Sequence, residues 1–219
     1  MWTALLALSP AMLGGCEVAG WAAQAIPKKV KATYVLPDRP TLVMVDDPDR
    51  RLRDPSLPRY IATEISNALA QHSAVTKVVA PDTIDALMIK LGDDFDRSGI
   101  DQIGREVGAE QVVHVHVESA KLYPEPGLLQ PQAVVQVKVI DVVNRRRLFP
   151  TIGRGDGQTA YSLSSRGIRL NVRMLPRGST DESHAVQTLL MRRLASRIAR
   201  DSARLFHDFL PRQPGEPFE

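Results

Sequence analysis

Gln111–Lys121 reads QVVHVHVESAK and Ala133–Val143 reads AVVQVKVIDVV, and the period of these two stretches decides the fold. In the first, Val113, Val115 and Val117 fall on one side of an extended chain while His114, His116 and Glu118 fall on the other. In the second, Val135, Val137 and Val139 share a face opposite Gln136 and Lys138. Successive side chains of a strand point to opposite faces, so each stretch is a strand with one apolar and one polar side. Pro124, Glu125, Pro126 and Gly127 mark the loop between them. Burying a valine contributes about 1.5 kcal/mol or more, so the valine side must be covered and the polar side must face solvent or a partner.

Upstream, Thr41–Asp46 (TLVMVD) is a short apolar run behind Pro40 that suits a buried strand. Pro58 suits a first helical position, and Ile61, Ile65, Ala68, Leu69 and His72 recur at three and four, the spacing of one helix face. Val75–Ala80 reads as a second strand, and Asp82 as the N-cap of a helix over Ile84–Leu91 that Gly92 interrupts. Ser98 and Asp101 have capping-box spacing, opening a short helix through Ile100, Ile103 and Val107 to Gly108.

Downstream, Asn144 and Arg145 turn the chain into a short strand at Arg147–Phe149, and a loosely patterned stretch runs from Gly153 to Gly178. A long helix follows, capped by Ser179 or Thr180, with Val186, Leu190, Leu194, Ile198, Leu205 and Phe209 on its buried side and Pro211 as its stop. The expected fold is α/β (α+β): a two-layer sandwich of a mixed sheet with helices on one face and a long C-terminal helix.

The chain has 219 residues, 43% hydrophobic and 24% charged, which suits one globular domain. Its 28 Lys and Arg against 25 Asp and Glu leave a net charge of +3, too mild to demand nucleic acid. Cys16 is the single cysteine, which excludes an intramolecular disulfide or a multi-cysteine metal site. Thr3–Met12 is an uncharged, largely apolar run, too short to span a bilayer but of the length of a signal-peptide core.

The residues that follow, Leu13-Gly14-Gly15-Cys16, resemble the lipobox of bacterial lipoproteins. That resemblance implies removal of residues 1–15 as a signal peptide and lipidation of Cys16. Acyl chains contribute about 0.8 kcal/mol per buried methylene, enough for several of them to anchor a protein stably. Met1-Trp2-Thr3 lacks the positive charge usual in such signals, which points to a start upstream. Glu17 stands where an aspartate would favour inner-membrane retention, so the expected location is the outer membrane, facing the periplasm.

Residues 16–40, with Pro27, Pro37 and Pro40 and with Lys28, Lys29 and Lys31, read as a lipidated tether reaching roughly 80 Å when extended. Residues 41–210 form the α/β domain, and residues 211–219, with Pro214 and Pro217, a disordered tail.

The element order, with a strand ending in Ile140-Asp141-Val142, a turn and short strand at Arg145–Phe149, and a C-terminal helix, resembles a group of envelope proteins. The group comprises the curli secretion-channel lipoproteins, the lipoprotein activators of penicillin-binding proteins and the Tol N-terminal domain. The resemblance covers Thr41 to Phe209 and implies a non-enzymatic role through assembly and protein contacts, with the bilayer and other envelope proteins as partners and self-association open. It does not extend to a secretion pore, because lipid-facing hairpins of about ten alternating residues are not found.

His114, His116, Glu118, Gln136 and Lys138 form the candidate partner face. The two histidines and Glu118 are also acceptable metal ligands, so the alternative reading is a metal or small-ligand protein, although any strand gives this spacing and no fourth ligand can be named. Val45-Asp46-Asp47-Pro48 resembles the acidic pocket of receiver domains, but the accepting aspartate and the lysine such domains need are not evident, so acidic turns are expected. Arg193, Arg197, Arg200 and Arg204 follow three-and-four spacing and could meet an anionic surface, with a solvated helix flank as the plainer reading. No G-x-S-x-G elbow, H-E-x-x-H or Walker lysine is present, so neither catalysis nor a cofactor is expected.

Overall fold

The computed structural model describes residues 28–150, 167–175 and 183–211. Ala32–Asp208 form one compact unit, and the described residues outside it, 28–31 and 209–211, belong to another. In that second unit, Val30 and Phe209 exchange backbone hydrogen bonds of 2.8 and 3.0 Å.

The main unit carries β1 (Thr41–Asp46), α1 (Leu57–His72), β2 (Val78–Val79), α2 (Asp82–Leu91), α3 (Ile100–Glu106), β3 (Gln111–Lys121), β4 (Gln132–Asp141), β5 (Arg146–Phe149), β6 (Ile168–Arg173) and α4 (His184–Ala203). The sheet runs β2-β1-β3-β4-β5, and β6 also pairs with β4. β1 is parallel to β2 and β3, whereas β4 is antiparallel to β3, β5 and β6. The sheet is therefore mixed, and the fold is α/β with a long C-terminal helix.

The two decisive stretches pair with each other: Val113, Val115 and Val117 stand opposite Val139, Val137 and Val135. That valine face is closed by Ile61, Ile65 and Leu69 of α1 and Leu190, Leu194 and Ile198 of α4, all in one buried cluster. The single helical layer describes this face. On the opposite face, α2 and α3 build a smaller cluster, in which Leu87 and Ile103 meet Leu42, Val112 and Val142. Contact there is close: a Cβ on Gly104 would lie 2.7 Å from a Val142 methyl and 2.9 Å from a Val112 methyl.

Several local expectations are corrected. The tether does not extend to Pro40, because Leu36 is 1% exposed within the valine-face core and Tyr34 stacks on Phe149 with ring centroids 5.2 Å apart. The second strand contracts to Val78–Val79, the two residues that pair with β1, while Val75 turns into the main core. α2 starts at Asp82 itself behind Pro81, and α3 is preceded by Gly99 rather than by a capping box, because the Ser98 hydroxyl donates to the Asp94 carbonyl at 2.9 Å.

The described part of the loosely patterned stretch carries a strand, β6, where Ile168, Leu170 and Val172 alternate with Arg169, Asn171 and Arg173, while its residues 153–166 and 176–178 lie outside the described residues. α4 is capped by Ser183, whose side chain accepts from Val186 N at 3.4 Å, and it ends at Ala203, before Leu205 and Phe209. The turn at Asn144 and Arg145 forms as expected. It is fastened by Asp141, fully buried, which accepts from Asn144 N and Nδ2 at 2.8 Å each. Burial pushes the Asp141 carboxyl up, but the Asn144 hydrogen bonds and the charges of Arg39 and Arg146 outweigh it and hold the group below the usual carboxylate range. The signal-peptide residues, Cys16, Ser179, Thr180 and the 212–219 part of the tail lie outside the described residues.

Candidate functional site

The polar sheet face becomes a recess because α2 and α3 cover only one end of it. Register then stacks its side chains into rows. Met44, His114 and Lys138 are aligned across β1, β3 and β4, and Asp46, His116 and Gln136 form the next row. Glu118 follows at a bulge in β3, where the register with β4 shifts between Val117 and Ser119.

These seven residues line one open cleft of about 590 Å³, walled on the other side by Phe95, Asp96, Ser98, Ile100 and Ile103. All five residues of the expected partner face are thus brought together, but in a cleft rather than on an open surface. His114 departs furthest from expectation, being 6% exposed.

Two of the carboxylates that line the cleft, Asp46 and Glu118, are engaged locally; Asp96 is the third. His116 Nδ1 donates to Asp46 Oδ2 at 3.1 Å, and His114 Nε2 lies 4.0 Å from the same oxygen. Glu118 accepts from Arg169 Nε at 2.9 Å and from the Gln136 amide. Gln136 Oε1 in turn accepts from Gly167 N at 3.1 Å, which ties the start of β6 to the rim. A Cβ at Gly167 would lie 2.4 Å from the Val137 carbonyl oxygen, so only glycine permits this approach.

Burial, with the nearby charges of Lys138 and His116, pushes the His114 imidazole down to about 3, so it is neutral in ordinary buffers. Its Nδ1 is buried with no hydrogen-bond partner. Burial and the Arg147 charge lower Lys138, and Asp46 pulls it the other way to a smaller extent.

Among the described residues, no three His, Cys, Asp or Glu side chains are placed to hold a metal ion. No described helix is long and apolar enough to cross a membrane. The arginine stripe is partly engaged on its own helix: Arg197 and Arg204 reach Asp201 at 2.9 and 3.4 Å.

Sequence reasoning missed Asp46, assigned to an acidic turn together with Asp47. Only Asp47 behaves that way, accepting from Arg51 N and Leu52 N. The signal for Asp46 was its even spacing from Leu42 and Met44 along β1, which places it on the polar face once β1 and β3 are paired. Arg169 and Gly167 were missed with β6.

The sequence matches no protein-family profile and no curated protein. Similar solved structures include lipoprotein GNA1162 from Neisseria meningitidis, at 13% identity and a TM-score of 0.39, over 74% of this chain and 94% of that one. A PelC dodecamer from Paraburkholderia phytofirmans is similar at 12% identity and a TM-score of 0.36, over 80% and 98%. The hypothetical protein CT253 from Chlamydia trachomatis is similar at 17% identity and a TM-score of 0.35, over 75% and 95%.

Proposed function

We propose that this chain is a lipid-anchored bacterial envelope protein, held in the outer membrane through Cys16 and facing the periplasm, that acts without catalysis as an assembly or regulatory partner of other envelope proteins. The observation that carries the reading is Leu13-Gly14-Gly15-Cys16 directly behind the apolar Thr3–Met12 run. A binding role is supported by the cleft's chemistry. Asp46 and Glu118 are engaged by His116, Arg169 and Gln136, and His114 is neutral. Ser98, the hydroxyl that lines the cleft, is committed to the Asp94 carbonyl rather than to an imidazole.

Intact-mass analysis of membrane-fractionated wild type beside Cys16→Ala tests the anchor. Acylated protein beginning at Cys16 in the membrane, with the variant released, supports the reading. Soluble wild-type protein that retains residues 1–15 would refute it.

A second reading, small-ligand binding at the cleft, is favoured by the cavity of about 590 Å³, within the usual range for small-molecule sites. A metal ion is the less favoured occupant, because Lys138 lies close enough to His114 to depress it and would repel a dication as well.

A further inference from the structure

Away from the cleft, the fold brings two further histidines together from distant parts of the chain. His72 closes α1, and His207 follows the end of α4 at Ala203. Arg192 of α4 lies over the Tyr60 ring of α1 at 5.5 Å, and the His72 and His207 rings lie 5.1 Å apart at 41°. Contact near both starts and beyond both ends makes the two helices parallel, so their C-terminal ends lie side by side.

The backbone at each histidine is anchored. Leu69, one turn before His72, is fully buried, and Leu205 and Phe206, directly before His207, belong to the same core. Phe206 also meets Phe149 edge to face. The imidazoles themselves stay at the surface, His72 exposed and His207 half-buried.

The pair has the dimensions of a shared metal ion. A zinc-type ion stands about 2.1 Å from an imidazole nitrogen and about 3.2 Å from that ring's centroid, so two ligating rings at a tetrahedral angle have centroids about 5.2 Å apart. His207 also has the tautomer that ligation needs. Its Nδ1 lies 3.0 Å from the Asp208 carbonyl oxygen, which can only accept, so in the neutral ring Nδ1 carries the proton and Nε2 presents its lone pair. Ligating histidines commonly donate their other ring nitrogen in this way, which fixes their orientation. His72 makes no hydrogen bond to a described residue, so its ring is able to turn a nitrogen to the same point. Its place in the last turn of α1 favours a cation there.

We propose that His72 and His207 form a surface site for a late divalent transition-metal ion such as zinc, nickel or copper, with water in its remaining positions. No third protein ligand stands with them among the described residues. Imidazole suits these borderline ions, whereas hard ions such as magnesium require oxygen ligands. The site lies on the helical layer that covers the valine face, away from His114 and His116 on the polar face.

Zinc chloride titrated into the purified full chain, followed by the imidazole resonances of its five histidines, tests the proposal. His72 and His207 should shift together and saturate with one common affinity, ahead of His114, His116 and His184. Magnesium chloride at the same concentrations should move neither ring. His72→Ala and His207→Ala should each weaken zinc by roughly tenfold or more, and the second substitution should add nothing to the first. His72 is exposed, so its variant leaves the core intact, and the wild-type resonances need no variant at all. Separate affinities for the two rings, a first shift at the cleft histidines, or undiminished zinc binding at His207 in His72→Ala would overturn the shared site. So would the absence of any shift of either ring up to about millimolar zinc.

Discussion

The two faces of the sheet are made from alternate residues of the same strands, yet they are closed in different ways. On one, the valines of β3 and β4 meet α1 and α4 in a single cluster that also takes in Leu36 and Phe149. On the other, α2 and α3 cover Leu42, Val112 and Val142 and stop, so Met44, His114, Lys138 and the rows beyond them line an open cleft. The difference teaches where stability and recognition reside. The first face is dry, and its energy comes from apolar area; the second is part wet, and its side chains are held by one another. Altering the dry face should therefore act on folding, and altering the cleft should act on pH dependence and ligands.

The largest effect belongs to the dry face. Leu194→Ala removes a fully buried side chain from α4 where it packs on α1 and the valines, and should cost about 3–5 kcal/mol in denaturant unfolding. A cost below about 1 kcal/mol would mean that α4 is loosely docked and that the contrast between the faces is overstated.

The next effect belongs to the cleft and is read in pH. His114 has a folded value of about 3 against an ordinary 6.5, so the unfolded chain takes up its proton first. Its contribution to stability is complete above the ordinary value and is lost progressively as pH falls from 6.5 towards 3. At about pH 4 the loss should be roughly 3 kcal/mol. His114→Leu removes the titration, so its stability should fall less than that of wild type over this window, with the carboxylates contributing equally to both. Parallel pH profiles for the two proteins would place His114 in contact with water and undo the closed end of the cleft.

The contrast between the faces was half legible in the sequence. Alternation exposed the valine ladder and the identity of the cleft floor, because a strand's period depends on backbone geometry alone. The recess was not legible, since it depends on how far α2 and α3 reach across the sheet, a tertiary quantity. Asp46 joined the site through the parallel register of β1 and β3, which local pattern does not encode. β6 was overlooked because three arginines, counting Arg166 just before it, and the preceding glycines obscured a six-residue alternation. Leu36 was averaged into a proline-rich stretch, although one leucine at the right place suffices to pin a segment to the core.

The close contact on the polar face offers a smaller test. Gly104→Ala puts a methyl within 3 Å of Val112 and Val142, so α3 must shift, at a cost of about 1–3 kcal/mol. Because α3 carries Ile103 in the cleft wall, the same variant should also change small-ligand binding at the cleft, whereas Leu194→Ala should not. Equal effects of both variants on binding would show that the faces are coupled through the sheet.

The smallest effect separates local from tertiary causes within the dry layer. α4 has one side-chain cap, Ser183, which accepts from Val186 N; its twenty residues otherwise depend on the face formed by Leu190, Leu194 and Ile198. Capping residues contribute about 1 kcal/mol because they satisfy one of four orphan amides, and the hydrogen bond here is long at 3.4 Å. Ser183→Ala should therefore cost about 0.5–1 kcal/mol, several times less than Leu194→Ala, with an unchanged denaturant slope. If the cap variant cost as much as the core variant, the helix would be limited by its start rather than by its packing. The dry face would then owe its closure to a local signal at Ser183 rather than to the valines beneath it.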